Sequence, residues 1–499
     1  MAKASYQDYV RLMHKIADVR NALALLGWDQ ETYMPPKGAA FRAQQSATLS
    51  GISHDLFVAP ATGDLLHALL EDQSLDWEQR RNVTLTLEDY DRACCYNTSF
   101  VERKSMAVSN AHHAWVGARE ANDFGLFRQA LEEVVTLTRE EATLLGYTGH
   151  PYDALLNLYE PGATTAELNV LFADIRRQLV GYVQELGQRT QVSNEFMYRH
   201  YPERRQWDFG IELLKEMQYD LEAGRQDISA HPFTTNFSMQ DVRVTTRVNE
   251  QDLHSMIWGC IHEGGHALYE QGLLPQNYGL PAGEACSLGI HESQSRLWEN
   301  MVGRSLPYWK RNYPRLQAVF PESLGTVSLD QFYKGINQVN PSLIRTEADE
   351  LTYHFHIMIR FEIEKSLMDG SLEVRDLPEI WRQRYQEYLG LEVKNDFHGV
   401  LQDIHWCHGS IGYFPTYSLG SFYAVQFYNQ ALKDIPDLEQ LTEQGNLLPL
   451  RAWLGEKIHR KGRLKTAREL CTEITGEPLN AAHFMRYARN KFDAIYNKP

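Results

Sequence analysis

The chain has 499 residues, with 43% hydrophobic and 23% charged residues and a formal net charge of −16. That length and balance describe a globular protein able to bury a large core and exclude a disordered or fibrous chain. The acidic balance argues against nucleic acid as a partner, because phosphate binding needs clustered Lys and Arg.

The N-terminus, "MAKASYQDYVRLMHKIADVR", carries charges throughout with no apolar run behind them, so no signal peptide is expected. No run of apolar residues is long enough for a membrane span. The six cysteines, Cys94, Cys95, Cys260, Cys286, Cys407 and Cys471, form no C-x-x-C pair. Free thiols in a reducing cytoplasm are the expectation.

Helical periodicity dominates. Tyr9, Leu12, Met13, Ile16, Val19 and Leu23 recur at three- and four-residue steps. Leu65, Leu66, Leu69 and Leu70 start a second set. Residues 77–113 contain no proline and predict one or two long helices. A further helix follows Thr164 or Thr165, either of which can cap its N-terminus. One segment departs from this. In "FTTNFSMQDVRVTTRV", Val242, Val244 and Thr246 alternate with Arg243, Thr245 and Arg247, the period of a strand. A small sheet is expected there.

Directly after it comes "IWGCIHEGGHALYEQ". His262 and His266 are one helical turn apart, so both imidazoles lie on one face and can fill two corners of a tetrahedral metal site. Glu263 is placed to take a proton from a water that the metal has made acidic. This is the logic of H-E-x-x-H metallopeptidases. Gly264 and Gly265 disfavour a helix interior by up to about 1 kcal/mol each. Their lack of side chains lets another group approach closely: a neighbouring helix, a carboxylate behind the metal-binding histidines, or a substrate strand.

A catalytic metal of this type needs a third protein ligand. "GEACSLGIHESQSRLWEN" offers Glu284, His291, Glu292 and Glu299. Glu292 can share the inward side of Leu288 and Leu297, which puts it slightly ahead, but spacing leaves all four open.

Arg345 in "SLIRTEAD" has the bidentate fork that suits a peptide's terminal carboxylate. A salt bridge to Asp349 or Glu347 is the simpler reading of the residues alone. His354 and His356, two apart, point to different faces and are read as structural. Glu362 and Glu364 are read as solvated helix surface. His405 in "LQDIHW" can donate to an oxyanion, or pack in the core beside Trp406. Tyr413 and Tyr417 in "GSIGYFPTYSLG" can also assist an oxyanion, or simply anchor a loop. His231 and Arg243 are candidate substrate contacts; Arg243 can equally pair with Asp241.

Several blocks, taken together, are more specific than any one of them. "HPF" (His231 to Phe233), "DVRVT" (Asp241 to Thr245), "HEGGH" (His262 to His266), "HESQ" (His291 to Gln294), "IRTEAD" (Ile344 to Asp349), "GVLQDIHW" (Gly399 to Trp406) and "WDQETYMPPKGAAFRAQQ" (Trp28 to Gln45) fall in one order along the chain. In these the sequence resembles the carboxypeptidase Taq family of metallocarboxypeptidases. The resemblance implies a mainly helical, bundle-like metallopeptidase fold with a deep central groove, the small sheet lying next to the active-site helix. Residues 1–499 are expected to form one catalytic domain, with the helical portion of about 1–120 as a lobe or lid. It implies His262, His266 and Glu292 as metal ligands, Glu263 as general base and Arg345 as the carboxylate receptor. It also implies one divalent ion per chain, zinc by expectation and cobalt as the alternative. It further implies broad release of single C-terminal residues from peptides with a free C-terminus, and a homodimer. No nucleic-acid or membrane partner is expected, and the location is expected to be cytoplasmic. The rival readings are an endopeptidase or aminopeptidase on the same ligands, or a helical peptide-binding protein without catalysis.

Overall fold

The strand signal around Val242 is realised as the central strand of a three-stranded sheet. The computed structural model describes residues 5–496. Strands β1 (Gly224–Ile228), β2 (Thr234–Ser238) and β3 (Asp241–Thr246) are ordered β1-β3-β2. β1 runs parallel to β3, with Arg225 opposite Arg243, and β2 runs antiparallel, with Thr234 opposite Val244. Val242 and Val244 are buried, as the alternation requires. β1 departs from the sequence-based expectation: "GRQDI" is poor in β-formers, and it is a strand because it pairs with β3.

Among the described residues the other regular structure is helical: 21 α-helices with short 3₁₀ segments and one π turn, 68% helix in all. None of them is long and apolar enough to cross a membrane. The chain folds as two compact units. The first comprises residues 1–94, 193–336 and 423–479. It opens with the helix Tyr6–Thr32, capped by the side chain of Ser5, whose buried positions Tyr9, Met13 and Ile16 keep to the expected stripe. The motif helix Leu253–Glu270 packs on β2 and β3 and against the helices Glu203–Glu216 and Leu288–Arg296. Asp252 caps its N-terminus by accepting from the backbone N–H of His254. It is buried on nearly all sides, which is why its apolar residues show no clean stripe.

The second unit comprises residues 95–192, 337–422 and 480–499. Thr98–Ala121 pairs with Gly125–Leu145, and Thr165–Gly187 is capped by Thr164. The helix Tyr353–Asp369 lies at its centre, buried on nearly every side. His354 and His356 are structural, as expected: His354 Nδ1 meets Ser418 Oγ and His356 Nδ1 meets Tyr385 OH, each at 2.9 Å. Glu364 corrects the surface reading. It is fully buried, and its carboxylate accepts from Tyr152 OH at 2.7 Å, Trp406 Nε1 at 2.9 Å and the Gly412 N–H at 3.1 Å. Glu364 lies on the inward side of the helix, enclosed by Tyr152 and Trp406. Glu362 is half-exposed and accepts from Tyr388 OH at 2.7 Å. None of the six cysteines is in a disulfide; Cys94 and Cys95 are exposed and the other four buried.

Candidate metal centre

The motif helix brings His262 and His266 side by side, with ring centroids 5.0 Å apart. The return helix Leu288–Arg296, capped by Ser287, delivers Glu292 to the same place. Glu292 Oε2 lies 3.6 Å from His262 Nε2 and 3.3 Å from His266 Nε2. One donor atom from each residue falls within 4.8 Å of the others, and this is the only such cluster of three or more among the described residues. Two imidazole nitrogens and one carboxylate oxygen are the donor set of a catalytic zinc-type site, with a fourth position left for water or substrate. The residues fit a divalent ion.

The glycines now have a reason. A Cβ on Gly265 would meet Ser295 Cα at 2.6 Å and the Gln294 carbonyl oxygen at 2.8 Å. The return helix therefore lies directly on the motif helix, and this close approach carries Glu292 to the two histidines. A Cβ on Gly264 would meet Leu214 and Met217 side chains at 2.9 Å. The close-packing alternative is the one realised.

Glu292 is fastened on both oxygens. Oε1 accepts from Arg296 Nε at 2.7 Å, and Oε2 from Ser295 Oγ at 3.0 Å. Burial pushes its carboxyl up, but Arg296 and the two imidazoles outweigh that and hold it well below the usual carboxylate range. It is thus ionised, the state that can bind a cation. Beyond Arg296 the helix runs on as a π turn, Leu297–Val302. Glu299 sits in that turn two helical turns past Glu292, and its Oε2 reaches His262 Nδ1 at 2.9 Å. Of the other candidate ligands, Glu284 pairs with Arg463 at 3.1 Å and His291 meets His266 Nδ1 at 2.6 Å.

Glu263 is buried, and its Oε2 accepts from Thr234 Oγ1 on β2 at 2.7 Å. Burial raises its carboxyl above the ordinary value, against the opposing pull of His262 and Thr234. Thr234 carries no signal of this role in the sequence; only the packing of β2 on the helix reveals it. Arg243, also on the sheet, is held bidentately by Asp241 at 2.8 and 2.9 Å and stacks over Trp28 at 4.3 Å and Phe237 at 4.9 Å. The side chain of His231 is exposed; its carbonyl accepts from Ser229 Oγ at 2.7 Å.

The second unit gathers a different cluster. Arg345 pairs with neither Asp349 nor Glu347. Its Nε donates to Asp403 Oδ1 at 2.9 Å, and Arg360 Nε donates to Asp403 Oδ2 at 2.6 Å. Asp349 is occupied instead by the N–H groups of Leu351 and Thr352. The Arg345 guanidinium lies over the rings of Tyr417 at 5.0 Å and Phe414 at 5.6 Å. His405 Nε2 is 3.1 Å from Tyr417 OH, and Tyr413 lies edge-on to the same imidazole at 5.5 Å. Burial, helped by Arg345, pushes His405 down to about 3, so its imidazole is neutral. Asp403 escaped sequence reasoning because both its partners are distant in the chain.

The model of the carboxypeptidase Taq (M32) metallopeptidase family matches residues 8–492. Thermostable carboxypeptidase 1 of Thermus thermophilus is 41% identical over 509 residues, covering 99% of each chain. Carboxypeptidase 1 of Bacillus subtilis is 37% identical, covering 98% of each. Among solved structures, the M32 carboxypeptidase from Deinococcus radiodurans R1 is similar with a TM-score of 0.97 at 38% identity, covering 99% of each chain. Metallocarboxypeptidase 1 of Trypanosoma cruzi is similar at 0.92 and 36%, covering 98% of this chain and 99% of its own. With a family match over nearly its whole length and a two-histidine, one-glutamate cluster in its first unit, the chain belongs to the carboxypeptidase Taq family and is a metallocarboxypeptidase, a peptide hydrolase that uses a divalent metal ion.

Proposed function

We propose that the enzyme removes single residues from the free C-termini of peptides with broad specificity, using one ion held by His262, His266 and Glu292. Zinc is the expected ion and cobalt the alternative. The observation that carries this reading is the convergence of those three donors within 4.8 Å of one another. A divalent ion there polarises a carbonyl and lowers the pKa of a water to about 7.

Glu263 acts as general base and then general acid. It takes a proton from the attacking water and returns it to the leaving amine. The Thr234 hydrogen bond supports this role by fixing one carboxylate oxygen. Arg345 receives the terminal carboxylate of the substrate. Its side chain, anchored by Asp403 and stacked on Tyr417, has already lost its rotational freedom. His405 donates an N–H to the oxyanion, with Tyr413 and Tyr417 beside it. Arg243 and His231 contact the peptide away from its terminus. Residues 1–499 work as one catalytic domain, with about 1–120 as a lobe or lid, in a cytoplasmic homodimer.

The test is a timed digest of decapeptides that differ only in the last residue, read by mass spectrometry with and without chelator. Ladders shortening from the C-terminus for most of the set, abolished by chelation and restored by zinc or cobalt, are expected. Cleavage of one terminal residue type alone would remove the broad specificity. Internal cuts would remove the role given to Arg345.

A further inference from the structure

The two imidazoles that face Glu292 are supported from behind in different ways. His262 Nδ1 meets Glu299 Oε2 at 2.9 Å, and that carboxylate also takes Arg296 at 3.0 Å and Arg304 at 3.5 Å. A carboxylate only accepts, so the hydrogen is on His262 Nδ1 and the lone pair is on Nε2.

His266 has no carboxylate on its Nδ1. Its partner there is His291 Nδ1, 2.6 Å away. His291 Nε2 in turn meets Glu270 Oε1 at 2.7 Å, and Glu270 Oε2 accepts from Asn236 Nδ2 at 2.6 Å. The hydrogens in this chain are determined from its far end. The Glu270 carboxylate accepts, so the single hydrogen of a neutral His291 is on Nε2. His291 Nδ1 is then an acceptor. The hydrogen between the two Nδ1 atoms must belong to His266, which leaves His266 Nε2 with its lone pair facing Glu292.

We propose that His291 and Glu270 are positioning residues for the metal: a histidine–carboxylate relay that fixes the tautomer and ring plane of His266. This rests on the reading of His262, His266 and Glu292 as ligands. Glu270 stands one turn past His266 on the same face of the motif helix, while His291 comes from the return helix, so the relay also ties the two ligand-bearing helices together. Breaking it has a specific consequence. In Glu270→Gln, the new amide satisfies Asn236 with its oxygen only by turning its NH₂ toward His291. His291 then carries its hydrogen on Nδ1, against the N–H of His266. His266 must rotate or move its hydrogen to the nitrogen that faces the metal.

The experiment measures zinc affinity of the full-length protein by competition with a chromophoric chelator, alongside the unfolding midpoint of the metal-free form. Glu270→Gln and His291→Phe should each weaken zinc binding about 10- to 100-fold, the usual effect of losing a ligand's orienting partner. The metal-free midpoints should stay near wild type. Because the two residues act in series, the double variant should lose no more than the worse single one. Glu270→Gln combined with Glu299→Gln should instead multiply the two losses. Zinc affinities within about twofold of wild type, beside a His266→Ala variant that binds none, would overturn the relay alone. Wild-type affinity in His266→Ala would overturn the ligand set on which it rests. A lowered metal-free midpoint with multiplicative losses for Glu270 and His291 would assign them to packing and overturn the relay.

Discussion

Gly265 of the motif helix lies so close to the return helix that a methyl group on it would fall 2.6 Å from Ser295 Cα. The neighbour is backbone, so a larger residue cannot be accommodated by a side-chain turn. Gly265→Ala gains up to about 1 kcal/mol in helix propensity but incurs overpacking of about 1–3 kcal/mol. A lower unfolding midpoint is expected, and with it a weaker hold on zinc, since the same contact sets the position of Glu292. Thermal unfolding with and without chelator checks both. A midpoint at or above wild type would show that the helices separate at little cost.

Glu263→Gln retains the shape of the side chain and removes its basicity. Metal content should stay at the wild-type level while kcat falls about 10²- to 10⁴-fold, the usual contribution of a general base. Full turnover in a metal-loaded variant would remove Glu263 from the reaction.

Arg345→Ala should raise KM for peptides with a free C-terminus and leave metal content unchanged. Peptides amidated at the C-terminus should be poor substrates for both proteins, so the gap between free and amidated substrates closes in the variant. Asp403→Asn acts on the same residue from behind. It leaves Arg345 and Arg360 buried without their shared carboxylate, a change on the order of 3–5 kcal/mol in stability. An Arg345→Ala enzyme that still prefers free over amidated peptides would assign carboxylate recognition elsewhere.

Glu364 makes stability depend on pH. Burial pushes its carboxyl from an ordinary 4.5 up to about 7, against the donors Tyr152, Gly412 and Trp406 and the charge of Arg360. The folded-state value is the higher one, so the contribution is fully present below pH about 4.5 and is lost as pH rises toward about 7. A shift of that size corresponds to about 3 kcal/mol. Denaturant titrations of chelator-treated protein at several pH values should show that loss in wild type and a flatter profile in Glu364→Gln. Parallel profiles would mean that Glu364 is ionised throughout.

Local patterns were readable wherever one residue's role depends on its near neighbours. The i, i+4 spacing of His262 and His266, the alternation of Val242 and Val244, and the capping Thr164 are all set by a few adjacent letters. Glu270 was within reach of the same logic, as the next rung of the ladder that begins at His262. What escaped depends on partners distant in the chain. β1 exists because β3 is beside it. Asp403 matters because Arg345 and Arg360 converge on it. Glu364 looked like a surface residue because its helix is rich in charged and polar letters, yet Tyr152 and Trp406, both far away in sequence, enclose it. Spacing left four candidates for the third ligand, and only the packing of the return helix on Gly265 brings Glu292, and not Glu284, against the two histidines.

The π turn at Leu297–Val302 has a genetic consequence. It holds one residue more than an α-helical path of the same span requires. Loss of one codon there would let the segment relax to ordinary α-helical winding with both flanking ends in place, while the residues inside the turn shift round the axis. Where the lost codon precedes Glu299, Glu292 remains in place while Glu299 shifts round the axis, away from His262. Outside Glu299, the segment is therefore sensitive to length rather than to composition. Conservative replacements of its apolar residues should be tolerated far better than loss of Leu297 or Trp298, which would remove the support of His262 without replacing His262, His266 or Glu292.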